Sequence, residues 1–334
     1  MDPVDALNEI AYLLERDLAS SFKTKAFRTA AGVLAAVPVE ERADRVESGA
    51  LKGTKGIGGT TYEVILEAMN GEVPAYLANL REHSRAIPRV ALRAKLRGDL
   101  HSHSDWSDGT TSIQSMADTA HWLGHDYLVL TDHSPRLTIA NGLTADRLRK
   151  QLDVVDAINA ARGGFRLLRG IEVDILDDGA LDQTASMLDK LDVVVASVHS
   201  KLKMGSPEMT SRMLGAIADP HTNVLGHCTG RLVEGSRGTR AQSTFDAHAV
   251  FAACAEHDVA VEINSRPERR DPPDALIRLA LDAGCLFSID SDAHAPGHLG
   301  FIDYGAARAE AAGVPADRIV NTWPLDRLLD WARG

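Results

Sequence analysis

The stretch GDLHSHSDWSDG, residues 98–109, sets His101 and His103 two positions apart and follows them with Asp108. If it ends a β-strand, residues i and i+2 face the same side. The two imidazoles would then project together, with Asp108 following in the loop. Taken alone, the stretch is equally compatible with a solvated turn. The same residue types return down the chain: His133 in TDHS, Glu172 in GIEVD, His199 in SVHS, His227 in GHC, and Asp292 with His294 in SDAH. A lone histidine at a strand end is ordinarily a hydrogen-bonded structural residue. Here six of the 13 histidines close short apolar runs, together with three carboxylates. That joint pattern points to metal ligation. Asp132 and Asp290 are expected to cap or support rather than to ligate. Mixed histidine and carboxylate ligation suits Zn²⁺, Mn²⁺ or Fe²⁺ better than Ca²⁺ or a thiolate-bound ion. Nine such residues exceed the needs of one ion, so two or three divalent ions are implied.

The elements that must position these groups are legible after Lys95. The runs RGDLHSHS, YLVLTDHS, FRLLRGIEVDIL, LDVVVASVHS, NVLGHCTG, VAVEINS and CLFSIDSDAH alternate with helical segments. A βαβα rhythm implies a parallel sheet with crossover helices. Seven units in about 230 residues suit a barrel better than an open sheet, and barrel chemistry sits on the loops after the strands. The sixth run ends on Asn264 instead of a histidine or carboxylate. Residues 1–85 read as helices only, with Ile10, Leu13, Leu14 and Leu18 at helical spacing. Residues 86–95, polar and basic with Pro88 as a breaker, read as a linker to a domain over 96–334.

Composition narrows the function classes. With 44% hydrophobic residues the chain can bury a sizeable core, and no apolar run is long enough to span a bilayer. The net charge of −11 argues against a nonspecific polyanion binder, though not against a local phosphate site. Cys228, Cys254 and Cys285 are odd in number and widely spaced, which favours reduced thiols. Cys228, next to His227, is expected to pack away from the site. The N-terminus lacks the basic start of a signal peptide, and the expectation is a cytoplasmic protein without membrane partners.

The ordered set DLHSHSDWSDG, TDHS, GIEVDIL, SVHS, GHCTGR and SDAH resembles the motifs of the PHP (polymerase and histidinol phosphatase) superfamily, over residues 96–334. The resemblance implies a distorted (β/α)7 barrel, a trinuclear metal centre and phosphoesterase activity. It implies that His101, His103, Glu172 and Asp292 hold one ion. Glu172 would bridge to a second held by His199 and His227, and Asp108, His133 and His294 would hold the third. A metal-bound water would be the nucleophile, with no separate protein nucleophile, and no GxSxG elbow is visible. Lys201, Arg231 and Arg266 each follow a strand end and are candidate phosphate contacts.

A second stretch, KGTKGIGGTT over residues 52–61, places a Gly-x-Gly turn before a helix N-terminus, beside Lys55. By itself this is an ordinary tight turn. Within FKTKAFRTAAGVLAAV and ALKGTKGIGGTTYEVILEAMNGEVPAYLANL it resembles the N-terminal helix-hairpin-helix domain of family X DNA polymerases. That resemblance implies contact with a DNA backbone through Lys55 and the amides of Gly56, Ile57 and Gly58. Lys23, Lys25 and Arg28 match only by position. The short linker leaves no room for a polymerase core between the two parts, so no polymerase activity is expected. Residues 1–90 carry 11 Lys+Arg against 13 Asp+Glu, so DNA affinity would depend on a local patch and on salt.

Three readings follow. The first is a metal-dependent phosphoesterase at DNA ends, of 3′–5′ exonuclease or 3′-phosphatase type. The second is a small-molecule phosphomonoesterase of the histidinol-phosphatase type, which the acidic charge favours. The third is a non-catalytic DNA-binding scaffold, which the complete ligand set disfavours.

Overall fold

The first helix begins where the sequence can cap it: the Asp2 carboxylate accepts the amides of Val4 and Asp5, and Pro3 occupies the first turn. The computed structural model describes residues 1–235 and 238–334. The chain divides into two compact units, Met1–Ala86 and Ile87–Gly334.

The first unit is helical throughout: α1 (Pro3–Arg16), α2 (Ser21–Ala35), α3 (Val39–Glu47), α4 (Gly59–Met69) and α5 (Ala75–His83). Leu7, Ile10 and Leu14 of α1 are buried, as are Phe27 and Leu34 of α2, Val64 and Ile65 of α4, and Leu77 of α5. Each such side chain contributes roughly 1.5–3 kcal/mol by leaving water. The turn into α4 needs glycine at position 56, where φ is +98° and a Cβ would stand 3.0 Å from Thr29 and Val33.

The second unit is the expected barrel. Its strands are β1 (Gly98–Ser102), β2 (Tyr127–Leu130), β3 (Arg166–Asp174), β4 (Val193–Ser197), β5 (Val224–Leu225), β6 (Ala260–Asn264) and β7 (Phe287–Asp290). All seven pair in parallel, each with its neighbour in sequence. β1 meets the segment after β7 through a bridge between Ser102 and Ala293, where the His103 amide donates to the Ala293 carbonyl at 2.7 Å. The barrel is thereby nearly closed. The crossovers carry α6 (Ile113–Trp122), α7 (Ala145–Ala160), α8 (Ala185–Leu188), α9 (Ser206–Ile217), α10 (Ala247–Glu256) and α11 (Asp274–Asp282). After β7 come α12 (Ile302–Ala311) and α13 (Leu325–Arg333). The rhythm is least regular where α8 has four residues and β5 has two.

Strand alternation sorts the apolar residues into two sets. Tyr127, Val129, Leu168, Val193, Val195, Val224 and Ala260 pack together with Val320, Trp323 and Leu328. The intervening Leu128 and Leu130, and Val194, Ala196, Val261 and Ile263, pack with the surrounding helices. Near the N-terminal strand ends, the Tyr127 hydroxyl donates to the carbonyls of Asn321 and Trp323, each at 3.1 Å. The Asn321 amide donates to the carbonyls of Ile289 (2.9 Å) and Gly98 (3.2 Å) and accepts the Ile289 amide (2.7 Å). The residues after Val320 therefore tie off that end and leave the C-terminal strand ends for chemistry.

Candidate metal centre

All nine residues singled out by type and spacing stand at the C-terminal strand ends of the second unit. His101 lies within β1 and His103 just beyond it, where the pairing to β2 shifts register between Asp99 and Ser102. Their rings are 5.1 Å apart. Asp108 returns towards them because the loop folds back on Ser104, whose carbonyl accepts the amides of Ser107 (3.2 Å) and Gly109 (2.9 Å). A Cβ at position 109 would come within 2.7 Å of the Ser104 backbone, so this return requires glycine. Asp292 sits in a left-handed turn, φ +50°, two residues after β7 ends at Asp290.

Glu172, the seventh residue of the nine-residue β3, is the hub. Its Oε2 lies 3.3 Å from His101 Nε2, 3.5 Å from His103 Nε2 and 2.9 Å from His133 Nδ1. Its Oε1 lies 3.1 Å from His199 Nε2 and 2.8 Å from His227 Nε2. One oxygen thus faces β1 and β2, the other β4 and β5. Asp108 Oδ1 is 3.4 Å from both His133 Nε2 and His294 Nε2. Asp292 Oδ1 is 3.5 Å from His103 Nε2 and 3.4 Å from His294 Nδ1.

These atoms fit a set of cations better than they fit one another. His101 Nε2, both nitrogens of His103, His133 Nδ1 and both oxygens of Glu172 are buried without a hydrogen-bond partner. Buried polar atoms are ordinarily satisfied, and lone pairs converging without donors are what bound cations would satisfy. Ligand atoms of His103, Asp108, His133 and His294 lie within 4.8 Å of one another, as do those of His101, His103 and Asp292, and those of His133, Glu172 and His199. His103 and His133 each fall in two groups, so the three sets share walls. Nitrogen and oxygen donors in this mixture suit Zn²⁺, Mn²⁺ or Fe²⁺.

The electrostatics divide the donors: burial keeps His103 and His227 neutral, whereas at His101, His133 and His199 burial is overcome by Glu172, which raises all three, His133 to about 10. Burial opposes the charge on Glu172, but the fields of His199, His101 and His133 overcome it and hold the carboxyl well below its usual range. Burial, followed by the neighbouring His294 and His133, pushes His103 down to about 3, leaving a neutral ring with a lone pair. Burial and then Arg269 bring His227 down to about 4.

Four further residues support the candidate ligands. Glu262, fully buried on β6, places Oε1 2.6 Å from His101 Nδ1 and accepts the His227 amide with Oε2. Glu262 is thereby placed to hold a proton on His101 Nδ1 and to leave Nε2, which faces Glu172, for a cation. Asp174 does the same for His199, at 2.7 Å from Nδ1. Arg269 Nε and Asn264 Nδ2 both reach Asp292 Oδ2, at 3.1 Å each, which leaves Oδ1 for the ligand groups. Sequence reasoning missed Glu262, Asp174 and Arg269. A signal existed for the two acids: Glu262 interrupts an apolar strand two residues before Asn264, and Asp174 follows Glu172 by two. Nothing in the sequence marks Arg269. Asp132 supports rather than ligates, accepting the Ser104 amide (2.8 Å) and hydroxyl (2.6 Å) and Gln151 Nε2 (2.6 Å). Asp290 likewise accepts the Leu100 amide at 2.9 Å. Cys228 packs in the apolar layer outside the strands.

The candidate phosphate contacts are placed differently from one another. Arg266 Nη1 lies 3.1 Å from His294 Nδ1 and donates to the Asp292 carbonyl at 3.0 Å, at the edge of the ligand set. Arg231 donates to the carbonyls of Arg269 (3.2 Å) and Arg270 (2.9 Å). Lys201 is exposed and pairs with Asp177. In the helical unit, the Ile57 amide donates to the Thr54 carbonyl (3.0 Å) and the Gly58 amide to Thr61 Oγ1 (2.9 Å). Those two amides are engaged within the turn. Lys55 is exposed, as are Lys23 and Lys25, whereas Arg28 pairs with Glu15 at 2.8 Å.

A family model described as PHP domain matches residues 99–266. The chain is 36% identical over 243 residues to the DNA polymerase/3′-5′ exonuclease PolX of Bacillus subtilis, an alignment covering 73% of this chain and 42% of that protein. The chain thus spans less than half the length of that relative. It is 29% identical over 246 residues to the probable phosphatase YcdX of Escherichia coli, covering 70% of this chain and 92% of the relative. The solved histidinol phosphate phosphatase of Lactococcus lactis superposes with a TM-score of 0.47 at 16% identity, over 65% of this chain and 94% of that one. No helix among the described residues is long and apolar enough to cross a membrane.

Proposed function

Because the chain belongs to the PHP domain family, we propose that it is a metal-dependent phosphoester hydrolase acting at the ends of DNA strands, as a 3′–5′ exonuclease or 3′-phosphatase. The observation that carries the hydrolase reading is the convergence of unpartnered, buried donor atoms around Glu172. Divalent cations held by the nine residues would supply an acidified water as nucleophile and positive charge for the phosphoryl oxygens. The chain's own part is positional. Glu262 and Asp174 hold the tautomers of His101 and His199, and Arg269 with Asn264 turns Asp292 so that one oxygen faces inward. Arg266, within reach of His294, is placed to meet an anion arriving there.

The DNA part of the reading is supported by the similarity to a protein named as a 3′-5′ exonuclease, and by the glycine turn that opens α4. Lys55 and the Gly56 amide would meet the backbone there, the amides of Ile57 and Gly58 being engaged within the turn. The alternative, a phosphatase of small monoesters, draws on the relative named a probable phosphatase, 92% of which the alignment covers, and on the net charge of −11. The two readings separate in one assay of the Mn²⁺-loaded full chain on a 3′-recessed duplex, a 3′-phosphorylated duplex and histidinol phosphate. Higher kcat/KM on a DNA end is expected. Turnover of histidinol phosphate alone overturns the DNA reading, and no turnover of any of the three overturns the hydrolase.

A further inference from the structure

A groove of about 600 Å³ lies beside the metal centre, between α11 and α12 below the end of β6. Its inner end is Arg266, whose Nη1 donates to the carbonyl of the ligand Asp292. The groove therefore starts where the ligand set stops. Arg266 is 8% exposed and pairs through Nη2 with the buried Glu268 at 3.1 Å, while its Nε is buried without a hydrogen-bond partner. Ser265, fully buried, borders the same space, and its Oγ is also unpartnered. Arg266 Nε thus stands unsatisfied at the inner end, whereas Ser265 Oγ packs against Gly305 of α12.

Three more arginines line the groove. Arg308 of α12 is committed, reaching Asp274 of α11 at 3.0 Å and the Asn264 carbonyl at 3.4 Å. Arg270 and Arg278 are exposed and have no carboxylate partner among the described residues. Arg278 stands one helical turn beyond Asp274 on the same face of α11. Arg270 is held in the left-handed region, φ +47°, a conformation that costs a side-chain-bearing residue energy and persists where the surroundings enforce it. The groove's acids are Asp274, already answered by Arg308, and Glu234 at the rim. With Arg266 answered by Glu268 and Arg308 by Asp274, Arg270 and Arg278 are the guanidinium groups without a carboxylate partner among the groove's described residues, on a chain of net charge −11.

We propose that this groove is a second phosphate-binding site, which holds a phosphodiester of the strand adjoining the phosphate that reaches the metal centre. The proposal rests on the reading of the chain as a hydrolase of DNA ends. A guanidinium fork matches phosphate oxygens in a bidentate way, and a strand carries further phosphates beyond the reacting one. A small monoester has none to offer.

The test is binding, read apart from turnover. The full chain is titrated with a fluorescein-labelled single-stranded oligonucleotide made with phosphorothioate linkages to resist hydrolysis, at several salt concentrations. Arg270→Gln with Arg278→Gln is expected to weaken binding about 10-fold at low salt. The slope of log affinity against log salt should shrink by about 1.4, two contacts at about 0.7 each. Arg270→Lys with Arg278→Lys should keep the slope, since each charge remains. Equal affinity and slope in the glutamine variant and the parent overturn the proposal. So does a variant that loses tripolyphosphate binding while keeping the oligonucleotide, because the groove would then serve a free polyanion. A chain that binds strands through these arginines yet cleaves no DNA end would instead refute the proposed function and leave the groove standing.

Discussion

Glu262 Oε1 lies 2.6 Å from His101 Nδ1, although the two residues are 161 positions apart in the chain and stand on β6 and β1. The same carboxylate accepts the amide of His227 with its other oxygen. A single buried acid therefore orients donors on both sides of Glu172.

Replacing it by glutamine keeps the volume and removes the charge that holds the His101 proton in place. Glu262→Gln is expected to lower divalent-metal affinity by about 10- to 100-fold. Competition against a fluorescent chelator measures this directly. An unchanged affinity would remove Glu262 from the metal centre's support.

Arg269 is buried and its Nε pairs with Asp292 at 3.1 Å. Arg269→Ala would leave that carboxylate buried with one partner fewer, a change that costs about 3–5 kcal/mol when a buried pair is broken. Urea unfolding of the chelator-treated protein is the appropriate measurement, since bound metal would mask part of the loss. A loss below about 1 kcal/mol would mean that Asn264 alone suffices to hold Asp292.

Cation binding should also stabilise the fold, because the donor atoms converge only in the folded barrel. Adding Mn²⁺ at 1,000 times its Kd to chelator-treated protein is expected to raise unfolding free energy by about 4 kcal/mol. Glu172→Gln should lose most of that increment, since both oxygens of Glu172 face histidines. Differential scanning calorimetry with and without metal reads the effect without any assay of activity. A melting temperature that metal leaves unmoved would contradict the nine-residue metal centre.

His125, just before the start of β2, provides a pH-dependent signature away from the candidate metal ligands at the C-terminal strand ends. Burial, then Arg93, brings its pKa down to about 3, and neither ring nitrogen has a hydrogen-bond partner. The unfolded chain, with an ordinary pKa of about 6.5, therefore binds a proton that the native state refuses between roughly pH 6.5 and 3. This group's effect on stability is absent above pH 6.5 and becomes a penalty as pH falls through that value, by about 1.4 kcal/mol per unit. His125→Leu removes the titration, so between pH 7.5 and 5 the two stability curves should run parallel down to about pH 6.5 and the variant should gain on the parent below it. Curves that stay parallel from about pH 6.5 down to 5 would show that His125 is not buried as a neutral ring.

Much of this protein could be read along the chain. Short apolar runs closing on histidine or carboxylate mark the strands, because a parallel barrel strand is short and its C-terminal end carries the polar groups. The runs ending at His103, His133, Glu172, His199, His227 and Asp292 correspond to six of the seven strands. Glycine at 56 and 109 could also be anticipated at turns, although the close approach to Ser104 that requires Gly109 could not. Arg231 illustrates the opposite limit. Its position after a strand end is visible in the sequence, but its guanidinium is occupied by the carbonyls of Arg269 and Arg270, which only the fold brings near.

The sequence by itself determined the residue types, their order and their phase on each strand, since these follow from local periodicity and from the chemistry of the side chains. Only the tertiary structure decided how Glu172 divides its two oxygens, that Glu262 and Arg269 stand behind the ligands, and that unpaired arginines on α11 and before it share a groove with Arg266. Each of those relations joins residues from different strands or helices. Their distances are set by the closing of the barrel and by helix packing against it, and no local pattern in the chain encodes them.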